Sequence, residues 1–170
     1  VHEWEHNTDR WKLRISDMIQ REEPIVHVFF RTDIVSPEKR SEMMSKVRSK
    51  DSIAEKKVRS ALHAAGYRFR LHRKDLPGTP DIVLPKLKLV IFVHGCFWHR
   101  HQGCNKCTTP KSNQSFWDVK FNKNVERDSL SIKKLNLIGW KVIVIWECET
   151  KNQETLSSTL VSLIKSSQKE

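Results

Sequence analysis

A chain of 170 residues has room for one soluble, globular domain with its own core. With 38% hydrophobic and 30% charged residues it is neither collagenous nor disordered, and no run approaches the roughly 20 apolar residues that span a bilayer. The 31 lysines and arginines against 20 acids leave a net charge of +11, a field that favours a polyanion such as nucleic acid.

Residues 1–32 differ from the rest. Trp11, Ile15, Met18 and Ile19 suit one helical face, Glu22-Glu23-Pro24 stops it, and Ile25 to Phe30 is a short apolar run. No chemical motif falls here, and the segment reads as an N-terminal extension of unknown role. A domain over 33–150 comes next, then a C-terminal helix and polar tail over 151–170. Ser36-Pro37 is an N-cap and first-turn pair for a basic helix carrying Met43, Met44 and Val47. Ser52-Ile53-Ala54-Glu55 has the capping-box form, Ala54, Val58, Ala61, Leu62 and Ala65 recur at helical spacing, and Gly66 closes the helix. The period then drops to two: Tyr67, Phe69 and Leu71 alternate with Arg68, Arg70 and His72, a half-buried strand that Leu76-Pro77-Gly78-Thr79-Pro80 breaks. Asp81 to Leu84 and Leu87 to Val93 are two more strands, the second nearly continuous in apolar residues and therefore central. After a Cys/His-rich loop, Ser115 to Asp118 can cap a long helix to about Ile138, with Val125, Ile132 and Leu135 on its core face and Gly139 as its stop. Trp140 to Trp146 is another buried strand, and Leu156, Leu160, Leu163 and Ile164 set a last helix against the body. The order α-α-β-β-β-α-β-α predicts an α/β fold with a mixed central sheet flanked by helices.

The cysteines Cys96, Cys104, Cys107 and Cys148 point to metal rather than disulfides, because no charged n-region with an apolar h-region opens the chain and a reducing cytoplasm is expected. His94-Gly95-Cys96-Phe97-Trp98-His99-Arg100-His101-Gln102-Gly103-Cys104 comes directly after the central strand, where open α/β sheets place active sites. Zn²⁺ takes four soft or borderline ligands in a tetrahedron, and Cys96, His101, Cys104 and Cys148 supply one such set. Exchanging His101 for Cys107 supplies another, with a Cys104-x-x-Cys107 pair of familiar spacing, and spacing does not choose between them. Either set joins the loop after the central strand to the end of the Trp140 to Trp146 strand and leaves His94 and His99 unassigned. Asp81 opens a strand whose hairpin partner ends at Val93, so its carboxylate and the Val93 to His99 segment converge on one sheet edge. Pro80-Asp81 is the first half of the metal-binding pattern of many Mg²⁺-dependent nucleases. Phe92-Val93-His94 stands where the second half, an acid, a spacer and a lysine, would be.

Several stretches together resemble the very-short-patch-repair DNA mismatch endonucleases over residues 33–150: Leu71-His72-Arg73-Lys74-Asp75-Leu76-Pro77-Gly78-Thr79-Pro80-Asp81, Val90 to His99, Phe116-Trp117, Lys123-Asn124-Val125-Glu126-Arg127-Asp128, and Val144-Ile145-Trp146-Glu147-Cys148. The resemblance implies a restriction-endonuclease-like fold with a structural Zn²⁺ site. It also implies an enzyme that uses catalytic Mg²⁺, as two ions, to nick the thymine-bearing strand 5′ to a T:G mismatch left by deamination of 5-methylcytosine. Carried onto this chain, it makes Asp81 the direct Mg²⁺ ligand with the main-chain carbonyl of Val93, lets His94 and Asp128 reach metal-bound waters, and makes His99 the base. Without it, Asp128 reads as a helix-surface charge beside Lys123 and Arg127. Glu55, fully accounted for as the capping-box partner of Ser52, falls near the same waters. Phe97, Trp98 and Trp117 become a wedge entering beside the mismatch from the major groove rather than core aromatics, and Met44 matches a residue entering from the opposite groove. Arg68, Arg70, Arg73 and Lys74 can neutralise phosphates or form a solvated basic face. The expected partner is double-stranded DNA with a T:G mismatch, alongside other DNA repair proteins and without a membrane. The protein itself is expected to be a cytoplasmic bacterial monomer, since one nick needs one active site. Two other readings stay open: a restriction-type sequence-specific endonuclease of the same fold, and a zinc-stabilised DNA-binding protein without catalysis.

Overall fold

The computed structural model describes residues 35–46 and 50–168, so the helix expected over Trp11 to Ile19, the run Ile25 to Phe30 and Val47 lie outside the described residues. Helix α1 spans Pro37–Ser45, with the Ser36 hydroxyl accepting the Lys39 N–H at 3.3 Å. Helix α2 spans Ile53–Ala64 and opens on the predicted capping box: Glu55 N–H donates to Ser52 Oγ and Ser52 N–H to Glu55 Oε1, both at 3.2 Å.

Strands β1 (Arg70–Leu71), β2 (Ile82–Leu84), β3 (Leu89–His94) and β4 (Lys141–Trp146) form one sheet in that order. The first three run antiparallel as neighbours, while β3 and β4 are parallel and joined by helix α3 (Gln114–Leu137). Helix α4 (Gln153–Ser167) ends the described chain. This is the expected mixed sheet flanked by helices. Among the described residues no helix is long and apolar enough to cross a membrane.

Two elements depart from expectation. The strand predicted over Tyr67 to His72 is reduced to two residues, because the register Arg70↔Val83 would set Arg68 opposite Pro85, which has no N–H to give and opens a 3-10 turn. Tyr67 and Phe69 still pack on the core, so the alternation reported the face but not the ladder. Helix α3 starts at Gln114 behind Asn113, whose left-handed φ of 52° makes the entry turn; Ser115 lies inside the helix instead of capping it. Val125 is 41% exposed, and the inward stripe runs through Trp117, Phe121, Asn124, Asp128 and Leu135. One residue off that stripe rotates a side chain about 100° away.

Period-two alternation sorts the sheet into two faces. Ile82, Leu84, Leu89, Ile91, Ile143 and Ile145 pack with Val58 and Leu62 of α2 and Leu156, Leu160 and Ile164 of α4. The opposite face carries Val83, Val90 and Phe92, packed with Leu135 of α3 and with Val142 and Val144. Continuing that second row by two residues past Phe92 reaches His94, and two before Val83 reaches Asp81. The alternation therefore sends both to the α3 side, at the strand ends where the hydrophobic packing stops. Gly78, at φ +75°, closes the turn before Asp81 against α3; a Cβ there would lie 2.7 Å from Ser131 Cβ.

Candidate active site

An open cavity of about 870 Å³ lies at this end of the sheet, and Asp81, Val93, His94, His99, Asp128 and Glu55 all line it. The Asp81 carboxylate is pinned by the hairpin: its Oδ2 accepts the Val93 N–H at 2.8 Å. Burial lifts its pKa from the ordinary 3.8 to about 6, against the pull of that hydrogen bond and with the help of the nearby Glu55 charge.

His94, buried, stacks on His99 with ring centroids 3.9 Å apart and planes 9° from parallel. Burial first, then the neighbouring His99, pushes His94 down to about 4, so it is a neutral imidazole at neutral pH. Asp128 reaches across from the inward stripe of α3, with Oδ2 2.5 Å from His99 Nδ1. Burial works against its ionisation, but the hydrogen bond to His99, helped by the Arg127 charge, outweighs it and holds the carboxyl below its usual range. An ionised Asp128 accepts the Nδ1 proton, which leaves His99 Nε2 as the nitrogen with a free lone pair.

The four atoms Cys96 Sγ, His101 Nδ1, Cys104 Sγ and Cys148 Sγ lie within 4.8 Å of one another, and Cys107 is outside this set. His101 Nδ1 is 3.6 Å from Cys96 Sγ and 3.4 Å from Cys148 Sγ. A tetrahedron with Zn–S of about 2.3 Å and Zn–N of about 2.0–2.1 Å separates sulfur from nitrogen by about 3.5–3.6 Å, so the donor set fits Zn²⁺. The His101 ring is held by stacking on Trp146, 4.1 Å away and 4° from parallel, two residues before Cys148. None of the four cysteines is in a disulfide.

Phe97, Trp98, Trp117 and Phe121 form an aromatic cluster beside the cavity, with Phe97 edge-to-face on the other three rings. Trp117 is only 8% exposed and supports Phe97 and Trp98 from beneath, while Asn124 Nδ2 donates to the Trp98 carbonyl at 3.1 Å and fixes that loop. Among the described residues Met44, Arg68, Arg70, Arg73 and Lys74 do not line the cavity. Met44, Arg68, Arg70 and Lys74 are exposed, whereas Arg73 is paired with Asp75 and lies over the Trp140 ring. Sequence reasoning passed over His72, which lines the cavity, and Arg59, which lies behind Glu55. His72, at a left-handed φ of 46°, places Nδ1 3.9 Å from Asp81 Oδ1. Arg59 Nη2 lies 2.8 Å from Glu55 Oε2. The only advance signal for Arg59 was its place four residues after Glu55, which equally describes a surface ion pair.

Fold and cavity together define an α/β protein with a nuclease-like site, where a partly buried carboxylate stands in one cavity with an imidazole offering a free acceptor nitrogen. Comparison with known proteins narrows the class. Residues 32–106 match the family described as DNA mismatch endonuclease Vsr. Over 133 residues the chain is 51% identical to the Type II nicking enzyme V.XorIIP of Xanthomonas oryzae pv. oryzae, covering 78% of this chain and 97% of that one. It is 48% identical over 134 residues to the Type II nicking enzyme V.NmeAIP of Neisseria meningitidis serogroup A, covering 79% and 95%. With the DNA mismatch endonuclease Vsr of Escherichia coli K12 the identity is 39% over 125 residues, covering 74% and 80%. The chain belongs to the DNA mismatch endonuclease Vsr family.

Proposed function

We propose that this protein is a DNA endonuclease of restriction-endonuclease-like fold that nicks the thymine-bearing strand 5′ to a T:G mismatch and so starts very-short-patch repair. The observation that carries the reading is the convergence of Asp81, His94, His99 and Asp128 on one cavity in a chain of this family. A divalent ion such as Mg²⁺, held by Asp81 and the Val93 carbonyl, would polarise the scissile phosphate and stabilise its developing charge. Oxygen donors suit that ion, and Asp81 keeps Oδ1 available because the Val93 N–H occupies Oδ2. His99 takes the proton of the attacking water at Nε2, and Asp128 holds the Nδ1 proton and stabilises the imidazolium that results. His94 stays neutral and fixes the plane of the His99 ring. Zn²⁺ in the Cys96, His101, Cys104 and Cys148 set would tie the loop after β3 to the turn after β4, and with it the position of His99.

The excess positive charge attracts the duplex, and Phe97 and Trp98 act as the wedge. Unstacking a base step costs a few kcal/mol and least where the pair is already mismatched, so a wedge favours T:G sites before any base is read. The test uses strand-labelled matched and T:G duplexes with Mg²⁺. Nicking of the thymine strand in the mismatch alone is the expected result. Cleavage of both strands in matched DNA, or binding with no cleavage at any divalent ion, would replace the reading by a restriction enzyme or a binding module.

A further inference from the structure

The catalytic cavity is lined by four acids, Glu55, Asp81, Asp128 and Glu147, against two cations, Lys50 and Arg127, so by charge it suits a metal ion before it suits a polyanion. The basic residues expected to meet phosphates, Arg68, Arg70, Arg73 and Lys74, do not line it. A duplex backbone entering this cavity needs cations on a surface that opens onto it. A second cleft, of about 290 Å³, does so: it shares Gly78, Arg127 and Ser131 with the cavity. Three of its lining side chains are cations, Lys123, Arg127 and Lys134, and one, Glu126, is an acid.

Helix geometry sets these cations in one row. Lys123, Arg127, Leu130 and Lys134 recur at i, i+4, i+7 and i+11 on α3, and each cation directly precedes a residue of the inward stripe, Asn124, Asp128 or Leu135. Helix α3 thus turns one stripe to the sheet and the catalytic cavity, and the next, about 100° round, to the cleft. At about 1.5 Å per residue the row from Lys123 to Lys134 is about 16 Å long, the axial span of about five nucleotides of one strand. Its cations are uncommitted. Among the described residues Lys123 and Lys134 are exposed and in no salt bridge, and the Arg127 guanidinium, 63% exposed, reaches only Asp128 Oδ1, at 3.5 Å. Arg73 and Lys106, by contrast, are tied to Asp75 and Glu147. A solvated basic face needs neither a cleft nor continuity with the catalytic cavity, and this row has both.

We propose that this cleft is a phosphate track, in which Lys123, Arg127 and Lys134 bind backbone phosphates of the strand being cut, next to the scissile one, and hold that strand over the cavity. Arg127 belongs to both spaces and joins the track to the site of hydrolysis, which is why the bound strand is the cut one. The inference deepens the endonuclease reading above, on which it rests, by assigning where the substrate backbone lies.

The test reads salt dependence. Binding of fluorescent matched and T:G duplexes is measured without Mg²⁺, so that nothing is cut, between about 50 and 200 mM salt. Lys123→Gln with Lys134→Gln should flatten the slope of log Kd against log salt by about one per lysine, and weaken binding roughly tenfold or more near about 0.1 M salt. The loss should be equal on matched and T:G duplexes, because phosphate contacts carry no sequence information. Lys86→Gln with Lys88→Gln removes the same charge from exposed positions in the β2–β3 turn, at the far end of the hairpin from Asp81, and should leave the slope unchanged. A second measurement assigns the strand. A neutral methylphosphonate placed in turn at each linkage within about five nucleotides of the mismatch should, at one or more positions on the thymine strand, weaken the wild type and leave the double lysine variant unaffected. An unchanged slope in the Lys123 and Lys134 variant, an equal loss in the Lys86 and Lys88 variant, or coupling on the guanine strand alone would overturn the proposal. Failure of the wild type to nick with any divalent ion would instead remove the endonuclease reading, while the salt slopes would still decide whether DNA lies in this cleft.

Discussion

Replacing Asp81 by Asn separates the charge of this carboxyl from its packing. The amide keeps an oxygen for the Val93 N–H, which Asp81 Oδ2 accepts at 2.8 Å, and loses only the negative charge. Burial, opposed by that hydrogen bond and reinforced by Glu55, has raised Asp81 from 3.8 to about 6. A folded value above the unfolded one means that the ionised form is disfavoured in the folded chain. Asp81 therefore costs no stability below about pH 4, and the cost grows as pH rises from there to about 6. At about 1.4 kcal/mol per unit the full effect is about 3 kcal/mol, reached above pH 6. The side chain is 20% exposed, so solvent screening removes little of it.

Thermal unfolding without added Mg²⁺, from pH 4 to 8, reads this directly. Asp81→Asn should be the more stable protein at pH 7.5 by about 3 kcal/mol, or roughly 6–12 °C for a domain of this size, with the gap closing near pH 4. Added Mg²⁺ should stabilise the wild type in proportion to the logarithm of its concentration and leave Asp81→Asn unmoved, and the variant should not nick. A variant less stable than the wild type at pH 7.5, or a gap that does not change with pH, would refute the account of Asp81 as a carboxylate held ready for a cation at the expense of stability.

Three further outcomes test the rest of the site. Cys148→Ser should release Zn²⁺ to a colorimetric chelator and lower the unfolding temperature, whereas Cys107→Ser should retain both metal and stability, because His101 and not Cys107 lies with the other three donors. Asp128→Asn should slow single-turnover nicking by about 10²–10⁴-fold with DNA affinity within twofold, because the amide cannot stabilise a protonated His99. Trp117→Ala should destabilise the fold by about 3–5 kcal/mol in urea titrations. Trp98→Ala, at a half-buried position, should be milder there and instead reduce the preference for T:G over matched duplex in competition binding.

Local periodicity is the part of this structure that the sequence makes legible. Alternation along Leu89 to His94 sorts the two faces of β3, and the short Pro85–Leu87 turn leaves the hairpin one register, so the meeting of Asp81 with Val93 could be anticipated. Periodicity could not choose between His101 and Cys107. That choice depends on how the loop after β3 coils, with the His101 N–H bonded to the Cys96 carbonyl, and on the stacking of His101 on a tryptophan 45 residues away in the chain. Asp128 looks like a surface charge for a related reason. A helix stripe is expected to stay apolar along its buried side, but α3 runs past a cavity midway, so between Phe121 and Leu135 its inward positions are Asn124, Asp128 and Ser131. Arg59 was hidden by the same logic on α2. Four residues beyond a capping-box glutamate, a cation normally marks a solvent-facing ion pair. It becomes an interior charge here only because His72, turned by its left-handed backbone, and Asp51 close over it from outside the helix. Polar residues on a buried stripe, more than any single motif, thus mark where this fold stops packing and starts binding.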